Sequence, residues 1–466
     1  MNEVPLEDMG PLVNINSRNR GPAILFDHIQ GHEGFRILSC MISNSARLAL
    51  SFGLDASTST HELIQWLRGK PEKWLRESKS YDPVYVEDGP IFENIKTGSD
   101  VDIGIFPVPE KFEPGDGGPF IGTGASVITK DPESNWINVG SYRSQVYSKN
   151  EVGLQMSSGK HGKLILNRYV KKGESMPVVC VWGIHDPVLF LASGTEVPTG
   201  VSEMNFVGAM RGQSMEVVKG KATGLPIPAN AEIAVEGFVN PGDIRDEGPL
   251  AEWAGYYLRG GKDTPFFKIT NLYYRNSPIL TMEPPNKSSY DPVRYWRSVY
   301  RSALIRDRLE SMGVPGIKAI WVPEFGGTRM FVVISIKQEH GGHATEAAVL
   351  ASQIREGAYC NKYVVVVDED VDVYDLEDVM WAVVTRTRPD QDIDILRKTW
   401  SSPADPRVRL PTTDFTDSVA VIRATIPFEW KEEFPKTSLP EEPIRNRIFE
   451  KYGKMLGWKS ATAFQS

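Results

Sequence analysis

Hydrophobic and polar positions divide the 466-residue chain into three textures. Residues 23–98 mix short apolar runs, Ala23-Ile24-Leu25-Phe26 and Ile37-Leu38, with two helix-like stretches. One lies near Asn44–Leu54. The other, near Thr60–Arg76, follows Ser and Thr residues suited to capping a helix N-terminus. From about 101 to 282 the pattern changes to β-like runs broken by Gly and Pro: Ala125–Ile128, Lys163–Asn167, Val178–Trp182, Ile233–Val239 and Phe266–Tyr274. Short strands with frequent turn signals predict an antiparallel barrel or sandwich. Glu283-Pro284-Pro285-Asn286-Lys287 reads as a linker, and Asp291-Pro292 then supplies an N-cap and a first-turn proline. The helix they open should run to about Met312, where Gly313 and Pro315 stop it.

The last third alternates strand and helix: Met330–Ile336, His343–Arg355, Tyr363–Val367 and Leu376–Arg386. That order predicts a βαβ unit with parallel pairing. A final amphipathic helix is expected over Pro440–Gly457, after a Pro-rich charged arm, docked on another subunit or on its own domain.

Length and texture together give three expected domains: an α/β unit over 1–100, a β-rich domain over 101–285 and an α/β domain over 286–466. Hydrophobic residues at 41% and charged residues at 24% are ordinary for a globular protein. The net charge, 52 − 60 = −8, is spread along the chain without a basic stripe, which gives nucleic acid or an anionic membrane no electrostatic purchase. Cys40, Cys180 and Cys360 are far apart and form no CxxC pair, so neither a disulfide framework nor a zinc site is expected. Met1–Pro5 lacks a secretory pattern, and no window approaches the roughly 20 apolar residues of a membrane span. A cytoplasmic multidomain enzyme is the reading these features favour.

Four clusters could carry chemistry. In Trp136–Arg143 a strand runs into a Gly-Ser turn, where free backbone N–H groups and an arginine could meet an anion. Ser158-Gly159-Lys160-His161-Gly162 presents a histidine flanked by glycines, an ordinary turn residue or a ligand. His340 and His343 have a helical spacing, but Gly341-Gly342 between them points to a helix start. Ala192-Ser193-Gly194-Thr195 followed by Glu203 offers a carboxylate suited to a helix cap or a cation. Glu247-Gly248-Pro249-Leu250-Ala251-Glu252-Trp253 sets two glutamates five apart among apolar neighbours, where desolvation raises a carboxyl pKa toward general-acid use.

Together, in this order and spacing, these residues resemble the UbiD decarboxylases, including the ferulic acid decarboxylase branch, over nearly the whole chain. The resemblance rests on Asn138 with Arg143, His161, the Ser-Gly-Thr turn before Glu203, Glu247-Gly-Pro-x-x-Glu252, and Lys362 before the Asp368–Asp372 run. Trp381–Arg386 also has the family character. The fold it implies is α/β, with a central split β-barrel for the flavin between an N-terminal α/β unit and a C-terminal α/β domain ending in a helix.

The resemblance further implies prenylated FMN, supplied by a flavin prenyltransferase, with Mn2+ or Mg2+ and a nearby K+. Asn138, His161 and Glu203 match the metal ligands, a mixed O/N set suited to such a cation. Asn138, Val139, Gly140, Ser141, Tyr142, Arg143, Lys160, His161, Ser193, Glu203 and Lys362 fall where the family holds the cofactor. Arg143, Glu247 and Glu252 match the network at the reacting centre: Arg143 orients the substrate carboxylate, Glu252 donates the proton, and Glu247 holds Arg143. The implied reaction is reversible decarboxylation of an aromatic, heteroaromatic or α,β-unsaturated acid, with carbon dioxide or bicarbonate as the other partner, in a homo-oligomer. Leu250-Ala251 replaces the Phe-Gly of many relatives, Trp253 follows the implied acid, and the elements before Ala23–Phe26 are expected to be short. A non-catalytic assembly subunit and a flavin oxidoreductase remain the alternatives; no dinucleotide fingerprint supports the second.

Overall fold

The computed structural model describes residues 3–157, 159–183, 186–257, 260–285, 287, 292–409 and 412–458. The chain forms two compact units, Met1–Ser59 with Gly69–Trp296, and Thr60–Arg68 with Arg297–Ser466. No described helix is long and apolar enough to cross a membrane.

A nine-stranded antiparallel sheet forms the first unit's core. Its path runs Ile137–Gly140, Ser126–Lys130, Met176–Gly183, Ile233–Val239, Thr264–Tyr274, Glu151–Gly153 and Val146–Ser148; Asn94–Thr97 and Ile244–Arg245 also pair with Thr264–Tyr274. The central strands are apolar on both faces, and Val178, Cys180, Trp182, Ile233, Val235 and Phe267 are buried in one cluster. A bulge between Glu236 and Gly237 bends the sheet. Gly237 is required there, because a Cβ would lie 1.9 Å from the Lys268 carbonyl oxygen. Glu236 is buried but accepts bonds from the Ala222 and Thr223 amides at 2.8 and 2.9 Å and from the Tyr273 hydroxyl, which pins the neighbouring turn.

The expected split barrel is, in its hydrogen bonding, an open sheet. Its two end strands, Ile137–Gly140 and Val146–Ser148, are consecutive in the chain, so Ser141–Gln145 spans the split as a covalent bridge. This places Arg143 in the gap.

Several local expectations are corrected. Lys163–Asn167 is not a strand but lies within the helix His161–Lys172; Ile165, Leu166 and Tyr169 are buried at helical spacing while Leu164 and Val170 face out. The helix expected near Thr60–Arg76 is two, Thr60–Leu67 and Lys70–Glu77, parted where Gly69 adopts a positive φ of 68°. Leu6–Arg18 forms an unanticipated helix before the Ile24–Phe26 strand, disguised by Pro11 inside it and by Gly10, where a Cβ would lie 1.9 Å from the Phe112 carbonyl oxygen. Glu283 is no free linker residue: it is buried and its carboxylate accepts from the Cys40 and Met41 amides, each at 3.2 Å. Asn286, Asp291 and Ser158 lie outside the described residues.

In the second unit a five-stranded sheet runs Ile317–Trp321, Phe331–Ile336, Tyr363–Asp368, Thr416–Ala424 and Ile393–Trp400. The three inner strands are parallel and both edges antiparallel, so the predicted βαβ pairing is present. His343–Gln353 packs its Ala347, Ala348 and Ala351 face into that core. The final helix is Glu442–Leu456, closed by Gly457 in a left-handed cap.

Candidate active site

The first half of the site grows from the edge strand Ile137–Gly140. The helices His161–Lys172 and Glu203–Arg211 both pack against this strand, and His161 and Glu203 are their first residues. Asn138 is 1% and Glu203 3% exposed. Asn138 Nδ2 donates to Glu203 Oε1 at 3.1 Å, and the Val139 amide donates to Oε2 at 2.6 Å. Burial pushes the Glu203 carboxyl up to about 8, against the opposing pull of these donors. Trp136 ties His161 to the same strand: their rings meet edge to face at 4.9 Å, and the indole donates to Val201 O at 3.0 Å. His161 Nε2 lies 3.0 Å from Thr199 Oγ1. The Tyr142 hydroxyl accepts from the Gly162 amide at 3.0 Å, and the Ser141 amide donates to Ser193 O at 3.0 Å. Gly140 and Gly162 both lie against the Tyr142 ring, where a Cβ at either would clash.

The second half occupies the split. Arg143 Nε approaches Glu247 Oε1 and Oε2 at 3.2 and 3.1 Å, and Nη2 donates to Oε2 at 2.6 Å. Nη1 donates to Glu252 Oε1 at 2.8 Å. The Glu247 side chain is 0% exposed and that of Glu252 28%. Burial raises both carboxyls above their ordinary range while Arg143 pulls both down. For Arg143, burial alone would lower the pKa, but the bonds to Glu247 and the charge of Glu252 outweigh it.

Two carboxylates on one guanidinium titrate as a coupled unit, and burying both charged is unfavourable. Glu247 makes the most contacts to Arg143, and these favour its ionised form against the burial that opposes it. Glu252 meets Arg143 through Nη1 alone, accepts a further backbone bond from Trp253 and is the more exposed of the two. The arrangement can therefore hold an anion at Arg143 and deliver a proton beside it.

Glycine backbones make this packing possible. A Cβ on Gly117 would meet Gly248 Cα at 2.4 Å, and one on Gly260 would meet Glu247 O at 2.2 Å. The Glu247 amide donates to Gly261 O at 2.8 Å. Sequence reasoning missed Gly117, Gly260 and Gly261, although Gly115-Asp116-Gly117-Gly118 was a readable turn signal. It also missed Thr199 as a partner of His161.

Lys362 lies in the other unit, where Asp405 at 2.8 Å and Asp417 engage its ammonium. Burial lowers its pKa, but these two carboxylates reverse the effect and raise it. His343 opens a helix as expected. Although His340, His343 and Glu346 bring donor atoms within 4.8 Å, the His343 ring is already engaged at both nitrogens, by Pro315 O and the Glu339 amide.

The residues present fit a hard divalent cation. Asn138 Oδ1 is buried with no hydrogen-bond partner among the described residues, beside a buried carboxyl that such an ion would ionise.

Three family descriptions match the chain. The 3-octaprenyl-4-hydroxybenzoate carboxy-lyase N-terminal domain matches residues 5–67, the Rift-related domain residues 84–287 and the C-terminal domain residues 294–424. Among solved structures, the chain is similar to vanillic acid decarboxylase of Sedimentibacter hydroxybenzoicus in its open form, at 27% identity and a TM-score of 0.82 over 98% of this chain and 95% of that one. It is also similar to the enzyme HmfF of Pelotomaculum thermopropionicum in complex with FMN, at 25% identity and 0.81 over 95% of each chain. An evolved dimeric form of HmfF in complex with prFMN gives 25% identity and 0.78 over 94% of each.

Proposed function

Because the chain belongs to the UbiD family of carboxy-lyases, we propose that it removes carbon dioxide reversibly, without net oxidation, from an aromatic, heteroaromatic or α,β-unsaturated acid. The observation that carries this reading is the sharing of Arg143 between Glu247 and Glu252. A guanidinium has five N–H bonds. Nε, Nη1 and Nη2 each commit one, which leaves two for a third carboxylate, that of the substrate. Flavins bound to the similar HmfF structures support a flavin here, in its prenylated form.

That cofactor, when bound, would supply the electron sink that no side chain can provide for a carboxylate leaving an sp² carbon. The chain's own residues do the rest. Asn138, His161 and Glu203 would hold Mn2+ or Mg2+, and K+ is the second cation the proposal includes. Val139–Tyr142, Lys160 and Ser193 would complete the cofactor contacts within the first unit. Arg143 orients the substrate carboxylate, and Glu247 fixes the Arg143 plane by gripping its Nε–Nη2 edge. Glu252 delivers the proton that replaces carbon dioxide; as an acid rather than an anion it also spares the buried site a second negative charge. A non-catalytic assembly subunit would have no use for this three-residue network. Supply of the cofactor by a flavin prenyltransferase, a cytoplasmic location and a homo-oligomer complete the proposal.

The test is to purify the protein from cells that also make a flavin prenyltransferase, record the flavin's spectrum and mass, and assay carbon dioxide release from a panel of aromatic and alkenoic acids. Release dependent on the prenylated flavin is expected. A flavin that instead turns over with NAD(P)H, without carbon dioxide release, would support the oxidoreductase alternative and overturn this one.

A further inference from the structure

Arg143 is not the only side chain through which the bridging segment grips the loop of Glu247. Gln145, buried at 5% exposure, lies two residues beyond Arg143 and reaches the same loop. Its Nε2 donates to Gly117 O at 3.0 Å, and its Oε1 accepts from the Gly248 amide at 2.8 Å. One side-chain amide thus joins the two glycines whose backbones touch, and Gly117 N adds a bond to Pro249 O at 2.7 Å. Neither glycine tolerates a Cβ, since each would strike the other's backbone within 2.6 Å. Arg143 holds the Glu247 carboxylate while Gln145 holds the next residue's backbone.

Two fixed points on consecutive loop residues define the loop's register against the bridge. Arg143 alone does not do this, because a carboxylate can rotate and follow a guanidinium. The backbone bond at Gly248 cannot. Four residues beyond Gly248, Glu252 arrives with Oε1 against Nη1, in a turn closed by its own amide on Tyr256 O at 2.9 Å, so the register of the whole loop sets where its carboxyl meets Arg143. We propose that Gln145 is a positioning residue for the reaction: it locks the Glu247–Glu252 loop in register with Arg143, so that Glu252 meets the reacting carbon. This inference rests on the decarboxylase reading above and adds a residue that touches neither carboxyl group.

The test uses holoenzyme loaded with flavin. Gln145→Met keeps the volume and removes both hydrogen bonds; Gln145→Glu keeps the acceptor for Gly248 and loses the donor to Gly117. Turnover should fall in the order wild type, Gln145→Glu, Gln145→Met, reaching a loss of about 10²-fold for a displaced group, with flavin content unchanged. In a Glu252→Gln background, Gln145→Met should add no further loss, because Gln145 acts through Glu252. A role in packing alone predicts the same fractional loss in both backgrounds, and that result would overturn the proposal. Amide exchange at Gly117 and Gly248 should quicken in Gln145→Met whether or not a substrate is known; unchanged exchange there would refute the clamp while leaving the decarboxylase reading intact. Conversely, a wild-type holoenzyme inactive on every acid, with exchange quickened in Gln145→Met, would sink the parent reading and with it the catalytic role of the clamp. Should Gln145→Met fail to fold, Gln145→Glu carries the same comparisons.

Discussion

Arg143 meets Glu247 along its Nε–Nη2 edge and reserves Nη1 for Glu252, so one cation orders two acids of unequal burial. In the proposed mechanism the acid with more contacts to Arg143, Glu247, is the ionised anchor and Glu252 the proton carrier. The inequality also makes the two glutamates distinguishable by experiment.

Glu252→Gln preserves shape and hydrogen-bonding capacity but cannot deliver a proton. Turnover should fall by about 10²–10⁴-fold, the usual contribution of general acid catalysis, while flavin and metal stay bound. Steady-state assay of the fully loaded variant checks this. Near-normal turnover would place the acid elsewhere.

Arg143→Ala should act differently. Substrate binding should weaken along with turnover, because the residue holds the carboxylate itself. Buried Glu247 and half-buried Glu252 also lose their cation, and breaking the buried Arg143–Glu247 pair costs about 3–5 kcal/mol. Thermal unfolding together with KM resolves the two effects; a variant with wild-type KM and Tm would remove Arg143 from its assigned role.

The pH profile follows from the direction of the Glu252 shift. Burial raises this carboxyl above its ordinary value of 4.5, although Arg143 opposes the rise. The protonated form therefore persists to higher pH than in a free carboxylic acid. Turnover should decline on the alkaline side, as pH rises through the raised pKa, and Glu252→Gln should erase that limb from its residual rate. An unmoved limb would assign it to another group.

The cation site makes a prediction that does not depend on activity. His161→Ala should lower metal and flavin content together, because each stabilises the other by linkage. Metal analysis and flavin absorbance of the purified variant read both. Full occupancy of the two would remove His161 from the ligand set.

How much of this was legible in the sequence varied with the range of the interaction. The strands Val178–Trp182 and Ile233–Val239 and the parallel Phe331–Ile336 and Tyr363–Asp368 pair follow from local apolar runs. Arg143, Glu247 and Glu252 were legible through motif order. Lys163–Asn167 reads as a strand because three apolar positions in a row, Leu164–Leu166, suit either period, and only burial at Ile165, Leu166 and Tyr169 selects the helix. Gln145 and the Gly117–Gly248 contact were not legible at all. They depend on backbones over a hundred residues apart meeting across the split, which no local pattern encodes.

Assembly is tested by truncation. The terminal helix Glu442–Leu456 leaves Ile444, Met455 and Leu456 exposed, and Trp458 follows them, a set of apolar groups suited to a second subunit. Removing residues 440–466 should lower the mass seen by light scattering. An unchanged oligomer would mean that the helix packs on its own domain.

The most direct test is a single turnover product analysed in deuterium oxide. Holoenzyme acting on its acid should yield one carbon dioxide and a product with one deuterium at the carbon that carried the carboxylate, and Glu252→Gln should lose this product. An oxidised product, or deuterium incorporation at the wild-type rate in Glu252→Gln, would contradict a decarboxylase that protonates through Glu252.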